Sequence, residues 1–162
     1  GVKVALNYFD WEEELASLKK EFADTGAENL IVRTNLLNVE EIPELVRLII
    51  DRFGRLDILI NNASTFYPTS LGQINEENWN DLMGTNIKAP LFLSQACYPA
   101  LKQSRGNIIN MVDIHAERPN AEHPIYCMAK AANAMMVKAL ARDLAPEIRV
   151  NGVAPGAAPY GR

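Results

Sequence analysis

Asp113, Tyr126 and Lys130 are three side chains that together could move a proton. Tyr126-Cys127-Met128-Ala129-Lys130 puts the phenol and the ammonium four apart, so on a helix they share one face, a turn apart. There the ammonium can draw the phenol down from its ordinary pKa of about 10 toward working pH. Tyr126 is then a candidate proton donor. Asp113 precedes it by thirteen positions, after the run Ile109-Asn110-Met111-Val112. A Tyr-x-x-x-Lys pair alone says little, because helices produce it by chance. Here three further segments accompany it: Asn61-Asn62-Ala63-Ser64 after an apolar run, Thr85-Asn86 within an expected helix, and Asn151-Gly152-Val153-Ala154-Pro155-Gly156 near the end.

The elements that must carry these groups follow from pattern. Residues 2–8 read as a strand. Residues 11–25 have helical periodicity and end at Gly26, suited to a left-handed cap. Residues 29–34 read as a short strand. Asn38 is placed to cap a helix that runs to Phe53 and closes at Gly54. Residues 56–60 are apolar enough for a strand covered on both faces. Residues 62–74 read as a loop, and residues 75–103 as a long helical stretch with Pro90 as a kink or break. A buried strand over 107–112 and a loop over 113–123 follow. Residues 124–144 read as a helix with proline at its start, and residues 148–153 as the last strand. This alternation predicts an α/β fold, a doubly wound parallel sheet in three α/β/α layers. The helix over 124–144 is rich in alanine, which suits close packing on its own sheet or on a sister subunit.

The chain has 162 residues, 48% hydrophobic and 22% charged, which suits one globular domain with a real core. A net charge of −4 gives no footprint for nucleic acid. No apolar run is long enough for a membrane span, and no signal peptide is expected. Cys97 and Cys127 have no metal-ligand spacing and fit reduced thiols, so the expected setting is cytoplasmic and no metal is expected.

The order and spacing of the four segments resemble the short-chain dehydrogenase/reductase family, over roughly residues 1–156. The resemblance implies a Rossmann-type fold and hydride transfer from a nicotinamide cofactor. Tyr126 would give the proton, and Lys130 would hold the cofactor ribose. Asn86 would hold a water that links Lys130 to solvent, unless it is merely a helix-surface amide. Asn61, Ala63 and Ser64 would run along the adenine ribose, with Asn35 and Leu36 beside the adenine, and Pro155 and Gly156 also at the cofactor. Asn62 would stabilise the sheet. The strand ending Asn7-Tyr8 lacks the carboxylate that selects NAD, so NADP is expected and NAD less so, with Tyr8 at the cofactor. Asp10 stands where many NADP users carry a basic residue. Family members usually form tetramers through helices equivalent to 75–103 and 124–144, so a homotetramer is expected. No Gly-x-x-x-Gly-x-Gly turn occurs, and residues 1–4 resemble the family's second strand. The expectation is a single partial Rossmann-type domain over 1–162, missing a central strand.

Two departures refine the resemblance. The family has serine where this chain has Asp113, and Phe66-Tyr67-Pro68-Thr69 follows the asparagine segment directly. Both are similar to the pteridine reductase branch, whose phenylalanine stacks on the pterin. An ionised carboxylate cannot donate to a developing alkoxide. A ring C=N suits it better, because protonation at nitrogen creates positive charge that a carboxylate favours. At its reference pKa of about 3.9 only on the order of one Asp113 in a thousand is neutral at pH 7. Tyr126 is therefore the expected immediate donor, with Asp113 orienting the substrate or sharing the proton. Phe66, Asp113 and Tyr126 are the expected substrate contacts, His115 either lines the pocket or lies on the surface, and Phe66 with Tyr67 could instead pack the loop. The expected reaction is NADPH-dependent reduction of a dihydropterin or dihydrofolate. The alternatives are reduction of a ketone or 3-oxoacyl group, and a catalytically incomplete fragment.

Overall fold

Hydrophobic alternation and glycine caps give five parallel strands and five helices in the computed structural model, which describes residues 1–10 and 13–155. In order they are β1 (Val4–Tyr8), α1 (Leu15–Thr25), β2 (Asn29–Arg33), α2 (Ile42–Phe53), β3 (Ile58–Asn61), α3 (Glu76–Met83), α4 (Ala89–Ser104), β4 (Asn107–Met111), α5 (Pro124–Asp143) and β5 (Arg149–Val153). A π-helical turn, Gly84–Lys88, joins α3 to α4, and a 3₁₀ turn, Ile114–Ala116, follows β4. Trp11, the expected start of the first helix, lies outside the described residues. Gly26 and Gly54 close α1 and α2 in the left-handed region, at φ 63° and 75°. No helix among the described residues is long and apolar enough to cross a membrane.

The strands form two parallel sheets, β1–β2 and β3–β4–β5, with no described strand between them. Leu59, Ile108, Ile148 and Val150 pack against Leu93, Cys97 and Leu101 of α4 and Ile42, Leu45 and Val46 of α2. Only one face of the three-stranded sheet is covered this way. Of the two faces expected to be covered, the described residues cover one: Ile58 and Ile60 on the other face of β3 are 54% and 56% exposed. Its apolar run reads the same whether one face or two are covered.

Two further expectations shift. Asn38 does not cap α2: its side chain holds the preceding turn, donating to Glu41 at 2.8 Å and accepting from the Glu40 amide. Glu41 is the cap position, and Pro43, which has no N–H to satisfy, sits in the first turn. The break near Pro90 is a change of helix type rather than a gap. Pro90 has no proton to give the Asn86 carbonyl, and the Asn133 amide of α5 donates to that carbonyl instead, at 2.9 Å. Pro99 is carried inside α4.

The α4–β4 junction is tight. A Cβ on Gly106 would lie 2.5 Å from the Asp57 carbonyl oxygen and 2.8 Å from the Leu101 side chain. Gly106→Ala is expected to cost about 1–3 kcal/mol through this overpacking, seen as a lower denaturation midpoint at unchanged m-value. Asn133→Leu would strip a partner from a buried carbonyl, at a cost of about 1–3 kcal/mol. Its Tm should fall, while an exposed control such as Lys138→Ala stays near the natural value.

Candidate active site

The loops and helix starts that follow β3 and β4 converge at one end of the sheet. Asp113 lies just beyond β4, Tyr126 and Lys130 on the first two turns of α5, and Phe66 in the loop after β3. The Tyr126 hydroxyl donates to Asp113 Oδ2 at 2.6 Å. The other carboxylate oxygen accepts from the His115 amide at 2.9 Å. His115 thus serves Asp113 through its backbone, while its ring contacts the Arg118 carbonyl. The Lys130 ammonium is buried, lies 5.5 Å from the Tyr126 ring centroid and donates to the Met111 carbonyl at 3.0 Å.

Electrostatics fixes the charge of this pair. Burial pushes the Asp113 carboxyl up, but the hydrogen bonds from the His115 amide and the Tyr126 hydroxyl, with the charges of His115 and Lys130, outweigh it. The net direction is down, so Asp113 is a carboxylate at neutral pH. Burial pushes the Lys130 ammonium down from its ordinary value, and the Asp113 charge works against that.

Asn86 is buried, not a surface amide. Its Oδ1 accepts from Ser64 at 2.7 Å, and its Nδ2 donates to the carbonyls of Thr65 and Leu82, both at 3.0 Å. Both amide protons are therefore used by protein. The Asn61 side chain is locked inside the sheet, donating to Asn110 at 2.7 Å and Ser94 at 3.2 Å. Asn61, rather than the exposed Asn62, is the sheet-stabilising amide, so only Asn61's backbone remains to face a cofactor. Ala63 and Ser64 are exposed beside it.

Tyr8, Asn35 and Leu36 form a second group at the ends of β1 and β2. The Tyr8 carbonyl accepts from Thr34, and Asn35 Oδ1 accepts from the Leu37 amide at 3.0 Å. Leu36 packs on the core, which leaves its backbone for any ligand. Pro155 is exposed, and Gly156 lies outside the described residues.

Phe66 is half exposed, with its ring 4.7 Å from that of Tyr126 in an edge contact and 4.5 Å from His123 in a stack. His123, Asn133, Asn110 and Ser94 escaped the sequence reading. Asn133 had a signal, as a polar residue three positions past Lys130 on a buried face, and Asn110 had another, as an amide within an apolar strand. His123 and Ser94 had none.

Residues 1–159 match the model of the short chain dehydrogenase family. The 3-oxoacyl-[acyl-carrier-protein] reductase FabG of Staphylococcus epidermidis is 32% identical over 158 residues, 96% of this chain and 65% of that protein. A 3-oxoacyl-[acyl-carrier-protein] reductase of Synechocystis is 31% identical over 158 residues, 96% of this chain and 64% of the relative. The chain thus spans just under two thirds of these relatives' length. Among solved structures, a dehydrogenase/reductase from Sinorhizobium meliloti superposes with a TM-score of 0.91 at 31% identity, covering 98% of this chain and 63% of the other. A metagenomic short-chain oxidoreductase solved with NADP gives 0.89 at 28% identity, covering 97% and 72%. The relatives' names speak of 3-oxoacyl reduction, so they side with the ketone alternative rather than with the pterin expectation. The extent of the family match settles the lineage: the chain belongs to the short chain dehydrogenase family.

Proposed function

We propose that the protein is an NADPH-dependent reductase whose substrate is a flat heterocycle of the dihydropterin or dihydrofolate kind, reduced at a C=N bond. The observation that carries this is the ionised Asp113 accepting the Tyr126 hydroxyl at 2.6 Å. A carboxylate beside a carbonyl oxygen that gains negative charge would raise the barrier. Beside a ring nitrogen that gains a proton it would lower it. Tyr126 would give its proton to that nitrogen. Asp113 would hold the hydroxyl and the cationic ring in register. The half-exposed Phe66 would offer an apolar face to the flat ring.

The residues present fit a nicotinamide cofactor. Lys130 is buried, and an ammonium has three donors. One reaches Met111, which leaves two for a ribose diol. Asn61 through Ser64 would offer backbone along the same path, with Tyr8, Asn35 and Leu36 toward the adenine end and Pro155 beside the reduced ring. When bound, the cofactor supplies the hydride. The solved relatives in complex with NADP and with NADPH support the choice of NADPH. Assembly as a homotetramer through α4 and α5 is part of this reading. Leu91, Phe92, Met128 and Met135 on those helices are exposed.

The second reading is reduction of a ketone or 3-oxoacyl group, favoured by what the relatives are named for. NADPH oxidation followed with a dihydropterin and with a 3-oxoacyl thioester separates the two. In the natural protein the dihydropterin should turn over, and Asp113→Ser should lower that rate on the order of 100-fold. Turnover of the thioester alone would sink the heterocycle reading. Asp113 also makes a pH prediction. Its folded pKa lies below the ordinary value, so its stabilisation is complete above the unfolded pKa of about 3.9 and lost as pH falls through the folded one. The Tm gap between the natural chain and Asp113→Asn should be constant above about pH 5 and shrink below it.

A further inference from the structure

Phe66 sits in the loop that follows β3, and nothing in the chemistry of a lone loop phenylalanine keeps its ring at one angle. Two neighbours do so here. The His123 imidazole lies against it with centroids 4.5 Å apart and planes 9° from parallel. The Tyr126 ring meets it at 4.7 Å and 73°. His123 and Tyr126 are three apart at the start of α5, so one helix end presents both rings to Phe66.

His123 is itself pinned. Its Nδ1 lies 2.6 Å from the Ala121 carbonyl, which requires a proton on that nitrogen; the longer 3.3 Å approach of the Asn120 amide is then not a hydrogen bond. The backbone around it is fixed too. Glu122 has φ 61°, in the left-handed region that non-glycine residues rarely occupy, and its carbonyl accepts from the Thr69 amide at 2.6 Å. That bond straps the Phe66 loop to the entry of α5. Thr69 itself is buried. His123 stands at the cap position of α5 but makes no side-chain cap, so helix capping does not explain its ring.

We propose that His123 is a positioning residue that sets substrate specificity: its stacked ring holds Phe66 upright against Tyr126, so that the site favours flat heterocycles over open-chain carbonyls. The proposal rests on the heterocycle reading for its substrate and on the two ring contacts for its mechanism. His123 touches no reacting atom in this account. It acts through Phe66. Freed of the imidazole, Phe66 samples several rotamers, and a flat substrate must order it on binding.

The test compares the whole protein with His123→Ala and His123→Phe. With NADPH saturating, His123→Ala should raise KM for a dihydropterin about threefold to tenfold, the range that one aromatic contact supplies, and leave kcat within twofold. KM for a small aliphatic ketone or 3-oxoacyl thioester should not move. His123→Phe keeps a ring on Phe66 and should restore the dihydropterin KM. An unmoved KM in His123→Ala, an equal loss for both substrate types, or failure of His123→Phe to rescue would each overturn the proposal. A second readout needs no substrate. With fluorinated phenylalanine incorporated and the Phe66 resonance assigned by Phe66→Leu, that resonance should shift toward its unfolded position in His123→Ala and return in His123→Phe. If the natural protein reduces only the thioester, the heterocycle reading fails while the fluorine signal still decides whether His123 orders Phe66. A Phe66 resonance indifferent to His123 would refute the positioning role itself.

Discussion

One buried amide holds the candidate site together. Asn86 reaches the loop after β3 through Ser64 and Thr65, the end of α3 through the Leu82 carbonyl, and α5 through its own carbonyl, which Asn133 fills. These are the segments that carry Phe66, Tyr126 and Lys130. Pro90 makes the arrangement possible by having no proton for the Asn86 carbonyl, which frees that carbonyl for a partner on another helix. The π-helical turn is the local form this exchange takes, in keeping with the tendency of such turns to occur at functional sites. An amide at a helix centre is ordinarily a weak choice. Here all of its donors are used, and in a buried position a satisfied amide orders its surroundings more sharply than an apolar side chain of the same size.

Charge then decides what the site can do. Asp113 is surrounded by donors and positive charge, and these outweigh its partial burial. Only a protonated carboxyl could serve as a hydrogen-bond donor, the role that a serine hydroxyl also fills. As a carboxylate it can only accept, so the one proton between Asp113 and Tyr126 belongs to the phenol. Lys130 lies beside the pair: burial lowers its ammonium, and the Asp113 charge offsets only part of that. Asp113 is the common member, bonded to the Tyr126 hydroxyl and acting on Lys130 through its charge.

Much of this was legible in the chain. The Tyr126–Lys130 spacing, the strand that delivers Asp113, and the glycine ends of α1 and α2 follow from periodicity and backbone chemistry alone. What escaped depends on contacts between distant segments. Asn38 and Glu41 both suit a helix start by type, and only the turn built from Asn35 to Glu41 decides between them. Asn61 and Asn62 are the same residue type side by side, and the strand pleat, which turns one inward to Asn110, assigns their roles. Asn133 is a polar residue whose partner lies 47 positions away. His123 stacks on a ring 57 positions earlier in the chain, and no local pattern encodes that pairing.

The bare face of the three-stranded sheet has its own consequence. Among the described residues Ile58, Ile60 and Val153 are 54%, 56% and 45% exposed, and β3 pairs with β4 on one side only. Flat aliphatic sheet beside an open ladder is the template on which unrelated chains add strands to one another. A strip of that kind accepts a further strand or helix face, on the side of the sheet opposite the one that α2 and α4 cover.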